Sequence, residues 1–133
     1  MYRKLMLLLL LPAVLLFSAC GQNNDSKSES TAPKTVTYQS ENGPVEVPAH
    51  PKRVIVLSTF TGDVLKLGVP LVGVDSYAKD NPNFKEALKG VEAVSENDIE
   101  KIIALKPDLI IGLSTTKNID KLKKIAPTVT YTY

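Results

Sequence analysis

The chain has 133 residues, with 16 basic and 14 acidic side chains, one cysteine, one histidine and no tryptophan. That length holds about one small domain. The near-balanced charge excludes the basic stripe of a nucleic-acid binder, and one Cys with one His excludes a disulfide framework or a clustered zinc site.

Arg3 and Lys4 open the chain, an apolar run interrupted by Pro12 spans residues 5–17, and Phe17-Ser18-Ala19-Cys20 closes it. A short cationic start, an apolar core and small residues at a cut site make a secretory signal. Ending on cysteine makes it a lipoprotein signal: residues 1–19 are removed and Cys20 becomes a lipid-carrying N-terminus. Phe17 stands where such signals usually carry Leu. The run is shorter than a membrane span of about 20 residues. The alternatives are an uncleaved anchor or a secreted protein with an incidental cysteine. Acylation also accounts for a lone thiol in an oxidising compartment. The rest is then a body tethered at the extracytoplasmic face of the cell membrane. Without Arg3 and Lys4 the charges balance at 14 each.

Residues 20–34 read as the lipidated cysteine and a flexible tether. Gly21 to Pro33 carries almost no apolar side chains, so it cannot repay its ordering entropy. Its reach as a flexible chain is roughly 20 Å. A frayed terminus would have the same composition. The folded body spans residues 35–133.

Thr35-Val36-Thr37-Tyr38 is β-branched and aromatic, Asn42-Gly43 marks a turn, and Val45-Glu46-Val47 alternates up to Pro48, which together predict a hairpin. His50, between prolines in an extended lead-in, is expected to be a solvated surface residue. Val54-Ile55-Val56-Leu57 is a continuous apolar run suited to a strand buried on both faces. A short helix at residues 64–67 ends at Gly68, and Leu71-Val72-Gly73-Val74 is a second strand. A loop at 75–81 precedes a helix that starts at Pro82 and reaches about Leu88. A short strand follows at 91–94. Asn97 or Asp98 caps a helix carrying Ile99, Ile102, Ile103 and Leu105, which Pro107 ends. Leu109-Ile110-Ile111 is another buried strand, closed by Gly112. An amphipathic helix is predicted at 117–125, with its lysines on a solvated face, and a last strand begins at Thr128.

Alternating strands and helices predict an α/β fold with a parallel sheet and helices on both sides. Ligands bind such sheets beyond the carboxyl ends of the strands. Strand-end position therefore singles out Thr59, Phe60, Ser76, Tyr77, Ser114 and Thr115; the alternative for each is ordinary loop capping. No catalytic set and no metal site can be built from these residues, and no Gly-rich phosphate loop follows the first strand. A binding role fits better than an enzyme.

Three runs, taken with the signal and Cys20, carry a family resemblance. They are Val47-Pro48-Ala49-His50-Pro51-Lys52-Arg53-Val54, the stretch from Glu100 to Ile111 containing Lys106-Pro107-Asp108-Leu109-Ile110, and Lys121 to Val129. In this order they resemble iron-siderophore binding lipoproteins of ABC importers, most of all the ferric-hydroxamate binders of Gram-positive bacteria. The resemblance implies two α/β lobes joined by one long helix, a periplasmic-binding-protein fold of the helical-backbone type, with ligand in the cleft between lobes. It covers the N-terminal lobe and stops before the joining helix. An apparently truncated protein, exposed apolar surface and marginal solubility are the expectations.

The resemblance also implies roles. Glu100 falls where the family has a first-lobe glutamate that docks on the permease; on its own it reads as a solvated first-turn acid. Tyr133 falls where the family has a ligand-contacting cleft tyrosine; on its own it is a terminal aromatic. The implied partners are a ferric siderophore, the ABC permease subunits and, through the lipid, the membrane, with the protein a monomer. A ferric tris-hydroxamate arrives pre-chelated and near neutral, so no resident cofactor or metal ligand set is expected. Strand-end loops that are not strongly basic favour hydroxamate over an anionic catecholate. Haem, cobalamin or a catecholate siderophore remain alternatives, as does a surface lipoprotein outside transport.

Overall fold

The computed structural model describes residues 34–132. The expectations for the signal, Cys20, the tether to Pro33 and Tyr133 lie outside the described residues. β1 (Thr35–Ser40) and β2 (Gly43–Pro48) form the antiparallel hairpin, with Val36 opposite Val47 and Tyr38 opposite Val45. Its turn is Glu41-Asn42, one residue earlier than the Asn42-Gly43 pair suggests. Gly43 follows at φ +99°, a backbone conformation that side chains with a Cβ avoid.

The main sheet holds β3 (Val54–Val56), β4 (Leu71–Val74), β5 (Glu92–Ala93), β6 (Leu109–Leu113) and β7 (Thr128–Tyr131), in the order β5-β4-β3-β6-β7. Every adjacent pair is parallel. The helices are α1 (Thr61–Lys66), α2 (Ser76–Asp80), α3 (Ile99–Leu105) and α4 (Ile119–Leu122), with a 3-10 turn at Pro82–Phe84.

The apolar run of β3 shows why the sheet needs two covers. Val54, Ile55 and Val56 are all fully buried. Val54 and Val56 point to one face, packing with Val64 of α1, Val74, Ala78 of α2 and Leu88. Ile55 points to the other, with Ile102 of α3, Ile110 and Leu122 of α4. Each such side chain contributes roughly 1.5–3 kcal/mol by leaving water. This is the α/β architecture with helices on both faces.

Local readings fare unevenly. The predicted loop at 75–81 is mostly α2, because Asp75 Oδ1 accepts the Ala78 N–H at 3.0 Å and starts a helix. The predicted helix after Pro82 is one 3-10 turn capped by Asn81, followed by turns up to Gly90. The helix predicted at 117–125 is α4 alone, since Asn118 adopts a left-handed conformation at φ 59°. The helix predicted at 64–67 begins earlier, at Thr61. Asp98 stands at the N-cap of α3 but does not cap it; its carboxylate accepts the Ser95 N–H at 2.8 Å.

Two of the recognised runs meet at the amino end of the sheet. Asp108 accepts the backbone N–H groups of Lys52 at 2.7 Å and Arg53 at 2.9 Å. Arg53 donates back to the carbonyls of Leu105, at 2.6 Å from Nη2, and Lys106, at 3.0 Å from Nε. Those carbonyls end α3, where Lys106 turns left-handed at φ 47°. The Pro-Lys-Arg and Lys-Pro-Asp pieces thus set the entry of β3 beside that of β6, and they lie away from the strand ends that bind ligands in such sheets.

Candidate functional site

The site lies at the carboxyl ends of the strands. β3 and β4 hand the chain to α1 and α2 on one face, while β5 and β6 lead to α3 and α4 on the other. Strand exits that turn opposite ways leave a crevice between them. Here it is a concavity of about 640 Å³, lined from the exits of β3, β4, β5 and β6. Its volume falls within the usual range for small-molecule sites.

Thr59, Ser76 and Tyr77 all line this concavity. Tyr77 is 90% exposed, so its ring is open to whatever enters. Phe60, Ser114 and Thr115 are not among the lining residues. Phe60 instead packs edge-on against Tyr131, with ring centroids 5.3 Å apart. Ser114 Oγ shares a hydrogen bond with Thr132 Oγ1 at 2.7 Å. Thr115 is exposed beside Thr116, whose buried Oγ1 accepts the Leu113 N–H. Thus three of the six strand-end residues gather at the concavity and three sit beyond it.

Ser58, Thr61 and Asp75, which lie in the strand-end stretches 58–61 and 75–77 but were not singled out, also line it, as do Phe84 and Glu96, which sequence reading missed. Phe84 was hidden by the helix expected after Pro82. Ser58 and Thr61 gave a partial signal by flanking Thr59, but their burial depends on packing that periodicity does not show. Among the described residues, Ser58 Oγ, Thr61 Oγ1 and Asp75 Oδ2 are buried side-chain oxygens without a hydrogen-bond partner. Such groups each cost about 1–3 kcal/mol when left unpaired.

The electrostatics have one sign. Asp75 and Glu96 line the concavity, and among the described residues no lysine or arginine does. Lys79, close to it in sequence, is committed elsewhere: its Nζ donates to the carbonyls of Leu88 at 2.8 Å and Val91 at 2.5 Å. Among the described residues no group of three His, Cys, Asp or Glu could hold a metal ion. The lining therefore offers hydroxyls, carboxylates, an aromatic rim and apolar side chains.

Glu100 lies in the first turn of α3, exposed, and lines a second concavity together with Asn97, Asp98, Ile99 and Lys101. Asn97 borders both concavities and accepts a hydrogen bond from Asn118 Nδ2 at 2.9 Å.

Comparison with known proteins gives a consistent result. The iron(3+)-hydroxamate-binding protein YxeB of Bacillus subtilis is 43% identical over 141 residues, covering 100% of this chain and 43% of that protein. The iron(3+)-hydroxamate-binding protein FhuD of Bacillus subtilis is 43% identical over 122 residues, covering 87% of this chain and 39% of that protein. The structure of unliganded FhuD2 from Staphylococcus aureus matches with a TM-score of 0.69 and 40% identity, over 74% of this chain and 37% of that one. The chain thus spans about two fifths of the length of the curated relatives it matches. With residues 54–133 matching its description as well, the chain belongs to the periplasmic binding protein family.

Proposed function

We propose that this chain is the ligand-capturing N-terminal part of an extracytoplasmic lipoprotein that binds a ferric siderophore, a hydroxamate, and delivers it to an ABC permease for iron uptake. The observation that carries this reading is the lining of the concavity. A ferric tris-hydroxamate has its iron fully ligated by the chelator and little net charge, so a binding site needs hydrogen-bonding and aromatic surfaces rather than metal ligands. Thr59, Ser76 and Tyr77 supply such surfaces, and the absence of lining Lys or Arg among the described residues disfavours a strongly anionic catecholate complex. Similarity to proteins that bind iron(3+)-hydroxamates supports the same class.

The remaining parts rest on the signal features and on what the family resemblance implies. Cys20 carries the lipid, residues 21–33 supply reach, and the exposed Glu100 pairs with a basic site on the permease.

The test is titration of intrinsic tyrosine fluorescence in the full chain with a ferric hydroxamate, a ferric catecholate, haem and cobalamin. Saturable quenching by the hydroxamate, weakened in Tyr77→Ala, is expected. Tighter binding of haem, cobalamin or the catecholate would replace the hydroxamate reading, and no binding by any of the four would end it.

A further inference from the structure

The three residues with unpartnered oxygens line the concavity from two adjacent strand exits. Ser58 and Thr61 follow β3, Asp75 follows the neighbouring β4, and the Asp75 N–H donates to the Val56 carbonyl at 3.1 Å, which ties the two strand exits together. Thr61 is 1% exposed and Ser58 8%. Asp75 Oδ1 is committed to the Ala78 N–H, leaving Oδ2 as a buried acceptor without a partner.

This set has a definite chemical preference. A carboxylate oxygen only accepts, and the two hydroxyls can also accept. An anion would meet Asp75 and Glu96 with no lining cation among the described residues to offset them. A guanidinium pairs best with both oxygens of a carboxylate, and Oδ1 is already taken. A primary ammonium brings three N–H donors to three oxygens and needs no second carboxylate oxygen. Leu57, Phe84 and Val94 line the same concavity and offer apolar contact to a methylene chain behind it.

We propose that Ser58, Thr61 and Asp75 form a subsite for a protonated primary amine carried by the bound chelate. The protein then selects ferric hydroxamates that end in an amine over those that are neutral or acidic there. This rests on the siderophore reading above.

The test uses two chelates with the same iron coordination, ferrioxamine B with its free amine and its N-acetylated form, titrated against the full chain. A third probe, n-pentylammonium, carries the amine without iron and is followed by backbone amide NMR shifts. Asp75→Asn is the key variant, because Asn caps a helix as well as Asp and the fold is retained, as far-UV circular dichroism would verify. The wild type should bind the free amine roughly tenfold more tightly than the acetylated form, and Asp75→Asn should erase that preference. n-Pentylammonium should shift the amides of Ser58, Thr61 and Ala78 in the wild type but not in Asp75→Asn. Equal affinity for the two chelates, or a preference that survives Asp75→Asn, overturns the subsite. Amide shifts with n-pentylammonium without binding of either chelate uphold the subsite and reject the siderophore reading. Silence from all three probes rejects both, the concavity then holding ordered water alone.

Discussion

Asn42 Nδ2 donates to Thr130 Oγ1 at 2.8 Å, joining residues 88 positions apart. The neighbouring Ser40 accepts the Thr130 N–H at 3.1 Å and is within 3.4 Å of its carbonyl. Glu41 in the turn accepts the Thr132 N–H at 2.7 Å and also bonds its hydroxyl. The hairpin turn is thereby fastened along the outer side of β7, whose free edge would otherwise expose unpaired backbone groups. Ser40→Ala should destabilise the protein by about 1–3 kcal/mol, because it strands the buried Thr130 N–H. A lowered urea midpoint with an unchanged slope is the expected reading; an unchanged midpoint would mean the hairpin does not secure β7.

Asp108→Ala tests the clamp at the opposite end of the sheet. It removes both acceptors of the Lys52 and Arg53 N–H groups and frees the loop that feeds β3. Hydrogen bonds to charged groups contribute about 1.5–3 kcal/mol, but this pair is partly exposed, so a loss of about 2 kcal/mol is expected. Asp108→Asn, which keeps one acceptor, should lose less. A thermal melt in which the two variants coincide would contradict the two-bond account.

The central strands were readable because each is a short apolar run, as Val54-Ile55-Val56 and Leu109-Ile110-Ile111 are. The helix order followed from where apolar spacing resumed. What escaped was local chemistry too brief to leave a period. α2 has five residues and buries only Ala78, so its signal is the Asp75 cap rather than an apolar stripe. α4 shrank to four residues because Asn118 turns left-handed, which side-chain periodicity does not reveal. The site divides the same way. Strand ends pointed to Thr59, Ser76 and Tyr77, but the direction in which each exit loop turns decides the rest. It carries Phe60 to Tyr131 and Ser114 to Thr132, while it brings Ser58, Thr61 and Asp75 to the concavity.

Tyr131 gives a pH prediction. Burial first, then the hydrogen bond and charge of Tyr38, push its hydroxyl from the ordinary 10.0 up to about 12. The rings of Tyr38 and Tyr131 lie 6.1 Å apart. Below pH 10 both folded and unfolded chains keep this proton, and the contribution to stability is complete. As pH rises from about 10 to about 12 the unfolded chain releases the proton first, so stability falls through that window. Phenolate absorbance should show one late tyrosine that disappears in Tyr131→Phe, and that variant should lose less stability across the same window. A Tyr131 that ionises together with the other tyrosines would refute the burial argument.

Glu100 and Tyr77 should separate delivery from capture. Asn97 borders both the concavity that Tyr77 lines and the patch around Glu100, so the two proposed roles fall on adjoining surfaces that share neither side chain. Glu100 is exposed in the first turn of α3, where a carboxylate opposes no nearby helix charge and remains available to a cation outside the chain. Rim charges of this kind act mainly on the rate and specificity of encounter. Glu100→Ala should leave the chelate quenching curve unchanged and reduce radio-iron uptake several-fold in cells carrying the full importer. Tyr77→Ala should weaken the quenching curve itself, with uptake falling in proportion. If Glu100→Ala shifts the quenching curve as far as Tyr77→Ala does, Glu100 belongs to the ligand site. If it alters neither measurement, permease recognition does not use this helix.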